Sequence, residues 1–273
     1  WRDWSSDVCS SDLGTQQETV GEDCKMSRIG LVGSRARVER DWALLPPEGV
    51  AESVLPEWRN TVSKVLTAPA MGAAFVQYEL ALGAGGGTQQ TLADGVQSFL
   101  FVFEGEVRLD LNGAGHTLTS GGFAYMKPGS RFSVEAEAPA RLLWLKKRYV
   151  PFGSNKPHDL VGNENKIPGE TYMGMEGVIL KVLLPVDTIW DMAMNIFTFP
   201  PGGSLPVTET HVMEHGLVFL QGQGVYYLGR EWMEVQKGDF IWMGPFVPQS
   251  FYAAGAVPSR YIYYKDVHRD VTL

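Results

Sequence analysis

Residues 203–222 read GSLPVTETHVMEHGLVFLQG, a run that sets Glu209, His211 and His215 between two glycines, Gly203 and Gly222. Successive side chains of a strand point to opposite faces, so Glu209 and His211 share one face, and His215 joins them if the strand pair continues in register. Further along, Gly238 leads into the apolar run FIWM, Pro245 follows it, and Gln249 comes after that turn, where the next strand brings a fourth donor to the same interior. One inward histidine would read as a hydrogen-bonded core residue. Four donor side chains at these offsets read as ligands of one metal ion, because an apolar barrel would otherwise hold an unpaired carboxylate.

Outward from this run the chain is a series of short strands. From about Met71 onward, apolar or alternating stretches such as 74–82, 98–103, 123–126, 141–149, 178–184, 192–199, 217–220, 240–243 and 260–264 are broken by Gly, Pro and Asn, the pattern of an all-β sandwich or barrel. Helical periodicity is weak, and residues 56–66 are expected to form at most a turn or two. The two halves repeat one another: FVFEGEVRLDL and GGFAYMKPGS at 101–111 and 121–130 match VFLQGQGVYYL and KGDFIWMGPF at 218–228 and 237–246. A repeat on this scale implies two copies of one domain. The Gly-, Pro-, Asn- and charge-rich stretch 151–177 reads as the linker, which places the copies at 26–150 and 178–273.

In the first copy the same offsets from Gly105 fall on Leu92, Asp94 and Ser98, and the Gln249 position falls near Ser133, so that half is expected to hold no metal and to be structural. Its Gln89, Gln90 and Gln97 read as surface or turn residues. Trp232 and Trp242 read as core, and His116 and His268 lie outside the motif offsets.

Composition sets the frame. The chain has 273 residues, 44% of them hydrophobic, enough for a packed core, and a formal net charge of −8, which argues against nucleic acid or an anionic membrane as partner. No window approaches the roughly 18 apolar residues that cross a bilayer, and no secretory signal opens the chain, so a cytoplasmic protein is expected. Trp1 to Leu13 reads as a translated sequencing adapter; residues 1–25 are set aside as a non-native or disordered segment, with Met26 the expected start. Both cysteines, Cys9 and Cys24, fall in that segment, which leaves no thiol for a disulfide or a thiolate site.

The spacing Gly203-x5-Glu209-x-His211-x3-His215-x6-Gly222 resembles the first cupin motif with its outer ligands exchanged, Glu209 standing where a His is usual and His215 where a Glu is usual. Gln249 stands where the second motif usually has His. Together with LQGQGVYYLG, KGDFIWMGPFVPQ, SRYIYYKDVHRD and KKRYVP, the run ETHVMEHG is similar to the (S)-ureidoglycine aminohydrolase family of bicupins. The resemblance implies two jelly-roll-like barrels and the hydrolysis of (S)-ureidoglycine to (S)-ureidoglycolate with release of ammonia, in purine and allantoin breakdown.

Two imidazoles, a carboxylate and an amide oxygen suit octahedral Mn²⁺, with Fe²⁺, Ni²⁺ and Zn²⁺ less favoured, and the resemblance implies Mn²⁺. It also implies that Tyr261 and Lys265, which share a face of one run, contact substrate, with Glu209 and Gln249 touching both metal and substrate. Tyr226, after the Gly222 turn, is the remaining substrate-side candidate, and Lys265, Tyr261 and Glu209 are the expected catalytic groups. A small carboxylate substrate would pair with Lys265. The rival readings are a metal-dependent cupin oxygenase or isomerase and a non-catalytic small-ligand binder. A homo-oligomer is expected.

Overall fold

Strand-forming alternation is visible residue by residue. In Glu106–Leu111 the side chains of Val107, Leu109 and Leu111 turn inward and are buried while Glu106, Arg108 and Asp110 face out. The computed structural model describes residues 34–268 and 270, and the expectations about residues 1–25, Met26 and the two cysteines lie outside that range.

The first half runs β1 (Arg37–Val38), β2 (Trp42–Leu45), β3 (Glu52–Ser53), β4 (Trp58–Thr67), β5 (Phe75–Thr91), β6 (Val96–Glu104), β7 (Glu106–Leu111), β8 (Ala114–Thr119), β9 (Gly122–Met126), β10 (Arg131–Ala136), β11 (Ala140–Arg148) and β12 (Leu160–Asn163). The second half adds β13 (Glu170–Thr171), β14 (Ile179–Val182), β15 (Met192–Phe199), β16 (His215–Gln221), β17 (Gln223–Leu228), β18 (Glu231–Gln236), β19 (Phe240–Met243), β20 (Gln249–Ala254) and β21 (Ser259–Asp266). Four short 3₁₀ turns are the only helical elements among the described residues, so none is long and apolar enough to cross a membrane.

One ten-stranded sheet contains β3 to β12, with the long β5 bending so that it pairs β4, β10 and β11. At Gly87, within that bend, a Cβ would lie 2.0 Å from the Val134 carbonyl oxygen, so only glycine fits. An eight-stranded sheet in the order β1-β2-β19-β16-β21-β15-β14-β13 and a three-stranded sheet, β18-β17-β20, make the second half. Each half has its own core, around Trp144 and around Phe219, and a third cluster including Phe75, Phe99, Tyr125, Met194, Trp242 and Tyr264 lies between them. The protein is all-β.

Several expectations are revised. Residues 56–66 run into strand β4 rather than helical turns, because the β-branched Thr61, Val62 and Val65 find a partner in β5, with register shifts on either side of that pairing. The stretch 151–177 is not a bare tether: β12 pairs β9 in the first sheet and β13 pairs β14 in the second. Nor is the first half self-contained, since β2 pairs β19 of the second. Trp242 is buried, but Trp232 is 56% exposed and packs on Tyr227 on the outer side of the small sheet. Gln97, expected at the surface, is buried, because a partner waits for it across the boundary between the halves.

Candidate metal centre

Three strands of the large second sheet, β15, β16 and β21, form one wall of a cavity of about 290 Å³. His215 opens β16 and faces Met243 on one side and Lys265 on the other. Gln249 opens β20.

Glu209 and His211 do not lie on a regular strand, as the alternation argument expected. Pro206 interrupts pairing, and the segment touches β20 through isolated bridges at Ser204 and Glu209. Glu209 and Gln249 exchange backbone bonds, N to O, at 2.8 and 2.9 Å, and the His211 carbonyl accepts from Phe246 N at 2.8 Å. A loop pinned at these places brings the donors together. All four expected ligands line the cavity with Tyr226, Tyr261 and Lys265, so the structure gathers every site residue expected from the sequence.

Gln249 Nε2 lies 3.3 Å from Glu209 Oε2 and 3.4 Å from His211 Nε2, and the His211 and His215 rings stand 4.8 Å apart. Tyr226 donates its hydroxyl to Gln249 Oε1. His215 Nδ1 approaches the Met213 carbonyl at 3.2 Å; donating there leaves a lone pair on Nε2. Burial, with His211 and Lys265 nearby, pushes the His215 imidazolium far below its ordinary range, so the ring is neutral as a ligand must be. His211 Nδ1 is buried with no hydrogen-bond partner.

Among the described residues no group of three His, Cys, Asp or Glu side chains is arranged to hold a metal ion as it stands. Glu209, His211 and His215 are no exception, although all three line one cavity; the fourth expected donor is the Gln249 amide. The chemistry of these four suits a borderline-hard divalent cation, and the half-buried Glu209 carboxylate and the lone pair left on His215 Nε2 are groups a cation satisfies.

The surrounding tyrosines are donors held protonated by burial. The Tyr226 and Tyr261 phenols are pushed well above their ordinary range, first by desolvation and then by neighbouring acidic groups, Glu209 among them. Burial pulls Lys265 down, opposed by Glu209 and Asp266, and its ammonium forms no ion pair with a described residue.

Two participants were missed in the sequence. Tyr172 donates to Glu209 Oε1 at 2.9 Å from a 3₁₀ turn inside the stretch read as linker, and burial followed by Glu209 pushes its phenol up to about 12. No local pattern announced it. Asn195 lines the cavity and donates to the Tyr263 hydroxyl at 3.1 Å; its place on β15, two residues before Phe197 on the same face, was a signal available to alternation. His268, given no role, lies along the cavity lining with Nε2 3.2 Å from the Asp187 carbonyl oxygen.

The first barrel offers no counterpart. Leu92 is buried in its apolar core, Asp94 is exposed, and the Ser98 hydroxyl is spent on the Leu145 carbonyl and the Trp144 indole, both at 2.9 Å. Ser133 sits beside Gln89 on β10. Only the lysine survives: Lys146 faces Ser98 as Lys265 faces His215, with its ammonium 4.3 Å from the centre of the Trp144 ring.

Paired β-barrel halves, one of them gathering Glu209, His211, His215 and Gln249 around its cavity, define a cupin, and residues 195–264 match the family described as "Cupin domain". The chain is 39% identical over 251 residues to "(S)-ureidoglycine aminohydrolase" of Escherichia coli (strain K12), covering 90% of this chain and 96% of that one. It is 37% identical to the protein of the same name from Arabidopsis thaliana, over 87% of this chain and 79% of that one. The crystal structure of "protein Ylba from E. coli" aligns with a TM-score of 0.80 at 36% identity, covering 89% and 98% of the two chains. The chain belongs to the (S)-ureidoglycine aminohydrolase family.

Proposed function

We propose that this chain hydrolyses (S)-ureidoglycine to (S)-ureidoglycolate and ammonia, with Mn²⁺ held by Glu209, His211, His215 and Gln249. The observation that carries the reading is the Lys265 ammonium, without an ion-pair partner among the described residues, on the strand opposite His215 in a cavity that also holds Glu209, His211 and Gln249. A cation in a partly apolar cavity calls for a small carboxylate, and family membership names one.

When bound, the metal would supply a Lewis acid and a template for the reacting groups. The chain's residues do the rest. Lys265 pairs with the substrate carboxylate, and the Tyr261 hydroxyl, kept protonated by burial, donates beside it. Glu209 and Gln249 orient the amino group that leaves, Tyr172 and Tyr226 fix those two side chains, and Lys265 and Tyr261 relay protons to the departing nitrogen. Ligation through Gln249 Oε1 would turn the amide so that Nε2 donates to the Tyr226 oxygen instead. Leu180, Val182, Phe197 and Leu217 wall the cavity and exclude competing water. The division into cupins at 26–150 and 178–273, joined by 151–177, belongs to the same proposal, with β2 pairing into the sheet of the second half, β12 joining the first sheet and β13 the second.

Ammonia release from freshly made (S)-ureidoglycine, measured with protein stripped of metal and then given Mn²⁺, tests the reading. Turnover restored by Mn²⁺ is expected; none with metal loaded overturns it.

A further inference from the structure

Strand register puts the two barrels in correspondence: Ser98 faces Met126 and Lys146 in the first as His215 faces Met243 and Lys265 in the second. Gln97 then corresponds to Glu214, Tyr125 to Trp242, and Ala74, just before β5, to Asp191, just before β15. Corresponding residues make corresponding bonds. Gln97 Nε2 donates to Asp191 Oδ2 at 2.8 Å, and its Oε1 accepts from Tyr125 at 2.9 Å. The Glu214 carboxylate accepts from the Ala74 N–H at 3.0 and 3.1 Å and from Trp242 Nε1 at 2.8 Å. Each barrel reaches, from the residue ahead of its ligand position, to the residue that precedes a central strand of the other. The clamp is reciprocal.

Its two copies have different neighbours. Beside Gln97 stands Ser98; beside Glu214 stands His215. The Glu214 N–H also donates to Asp266 Oδ1 at 2.6 Å, and Asp266 follows Lys265. On the far side of His215, a Cβ at Gly216 would lie 2.6 Å from both Gln77 Oε1 and the Phe75 ring, so β5 of the first barrel presses on backbone next to the candidate ligand.

We propose that Glu214 is a positioning residue through which the first barrel, barren of ligands itself, holds His215 and Lys265 in place. The inference rests on His215 being a metal ligand. A buried carboxylate accepting from both barrels has its oxygens occupied and little freedom, and its loss strands the Ala74 N–H and the Trp242 indole N–H. Groups that orient metal ligands typically alter affinity by about 10- to 100-fold.

The test is Mn²⁺ affinity, read by electron paramagnetic resonance of free Mn²⁺ on the intact chain, together with the thermal midpoint of the metal-free protein. Glu214→Ala is expected to weaken Mn²⁺ binding at least about tenfold. Glu214→Gln and Trp242→Phe, which each disturb fewer bonds and remain measurable if Glu214→Ala does not fold, are expected to weaken it less. Gln97→Ala cuts the other copy of the clamp and is expected to lower the thermal midpoint while leaving Mn²⁺ affinity unaltered. Equal affinity in wild type, Glu214→Gln and Trp242→Phe, or an equal loss in Gln97→Ala, overturns the positioning role and leaves the ligand assignment standing. Absence of Mn²⁺ binding by the wild type overturns both.

Discussion

The Tyr172 hydroxyl donates to Glu209 Oε1 at 2.9 Å, so a residue from the stretch between the two repeats reaches the carboxylate of the candidate metal centre. Tyr172 is steadied by an edge-to-face contact with Phe197, whose ring is 4.8 Å away on the cavity wall. Removing the hydroxyl alone keeps that packing and deletes one charge-assisted hydrogen bond, worth about 1.5 kcal/mol. Tyr172→Phe is therefore expected to lower kcat/KM about tenfold with little change in thermal midpoint, measured by initial ammonia release.

Lys265→Met keeps most of the side-chain volume and removes the charge. A substrate carboxylate then enters a buried pocket without its cation, a loss on the order of 3 kcal/mol. The expected result is a KM raised about 100-fold, with Mn²⁺ still bound. An unchanged KM would move the carboxylate away from this lysine.

The sequence carried most of this site because its donors sit at fixed offsets from glycines that punctuate the strands, Gly222 among them, which turns at a φ of 75°. Periodicity carried the strands for the same reason: Val107, Leu109 and Leu111 could bury themselves only by alternating. What escaped was set by long-range pairing. Residues 56–66 became a strand because β5 lay alongside, and Gln97 became buried because Asp191, 94 residues later, supplied its partner. The route by which Glu209 and His211 arrive was also misread, since a loop pinned by Gln249 and Phe246 does what strand alternation was expected to do. Tyr172 had no local pattern at all; its role is created by where β13 and β14 leave the turn between them.

Outside the site, Glu164 joins the halves by accepting from Arg260 Nη2 at 2.7 and 2.8 Å and from Lys181 at 2.9 Å. Burial pushes its carboxyl up, but the Arg260 and Lys181 bonds and charges outweigh burial and hold it below the ordinary value of 4.5. A carboxyl depressed in the folded state stabilises the protein above its unfolded value and loses that contribution as pH falls through the folded value. Glu164→Gln is expected to cost about 2 kcal/mol near neutral pH. The thermal midpoints of variant and wild type should converge below pH 4.5. A gap that stays constant down to strong acid would mean the bonds are shape rather than charge.

Metal binding is measurable without turnover. A ligand that binds only the folded chain stabilises it by about 2.7 kcal/mol at 100 times its dissociation constant, and for a chain of this size each kcal/mol moves the midpoint by roughly 2–4 °C. Mn²⁺ at such an excess is expected to raise the midpoint of chelator-stripped protein by about 5–10 °C. His215→Ala should abolish the shift, because the remaining donors lose the imidazole that faces Lys265 across the sheet. Ser98→Ala, at the corresponding place in the first barrel, removes bonds to Leu145 and Trp144 and should lower the midpoint while preserving the Mn²⁺ increment. An increment that persists in His215→Ala would place the cation elsewhere, and one that vanishes in Ser98→Ala would bring the first barrel into the metal site.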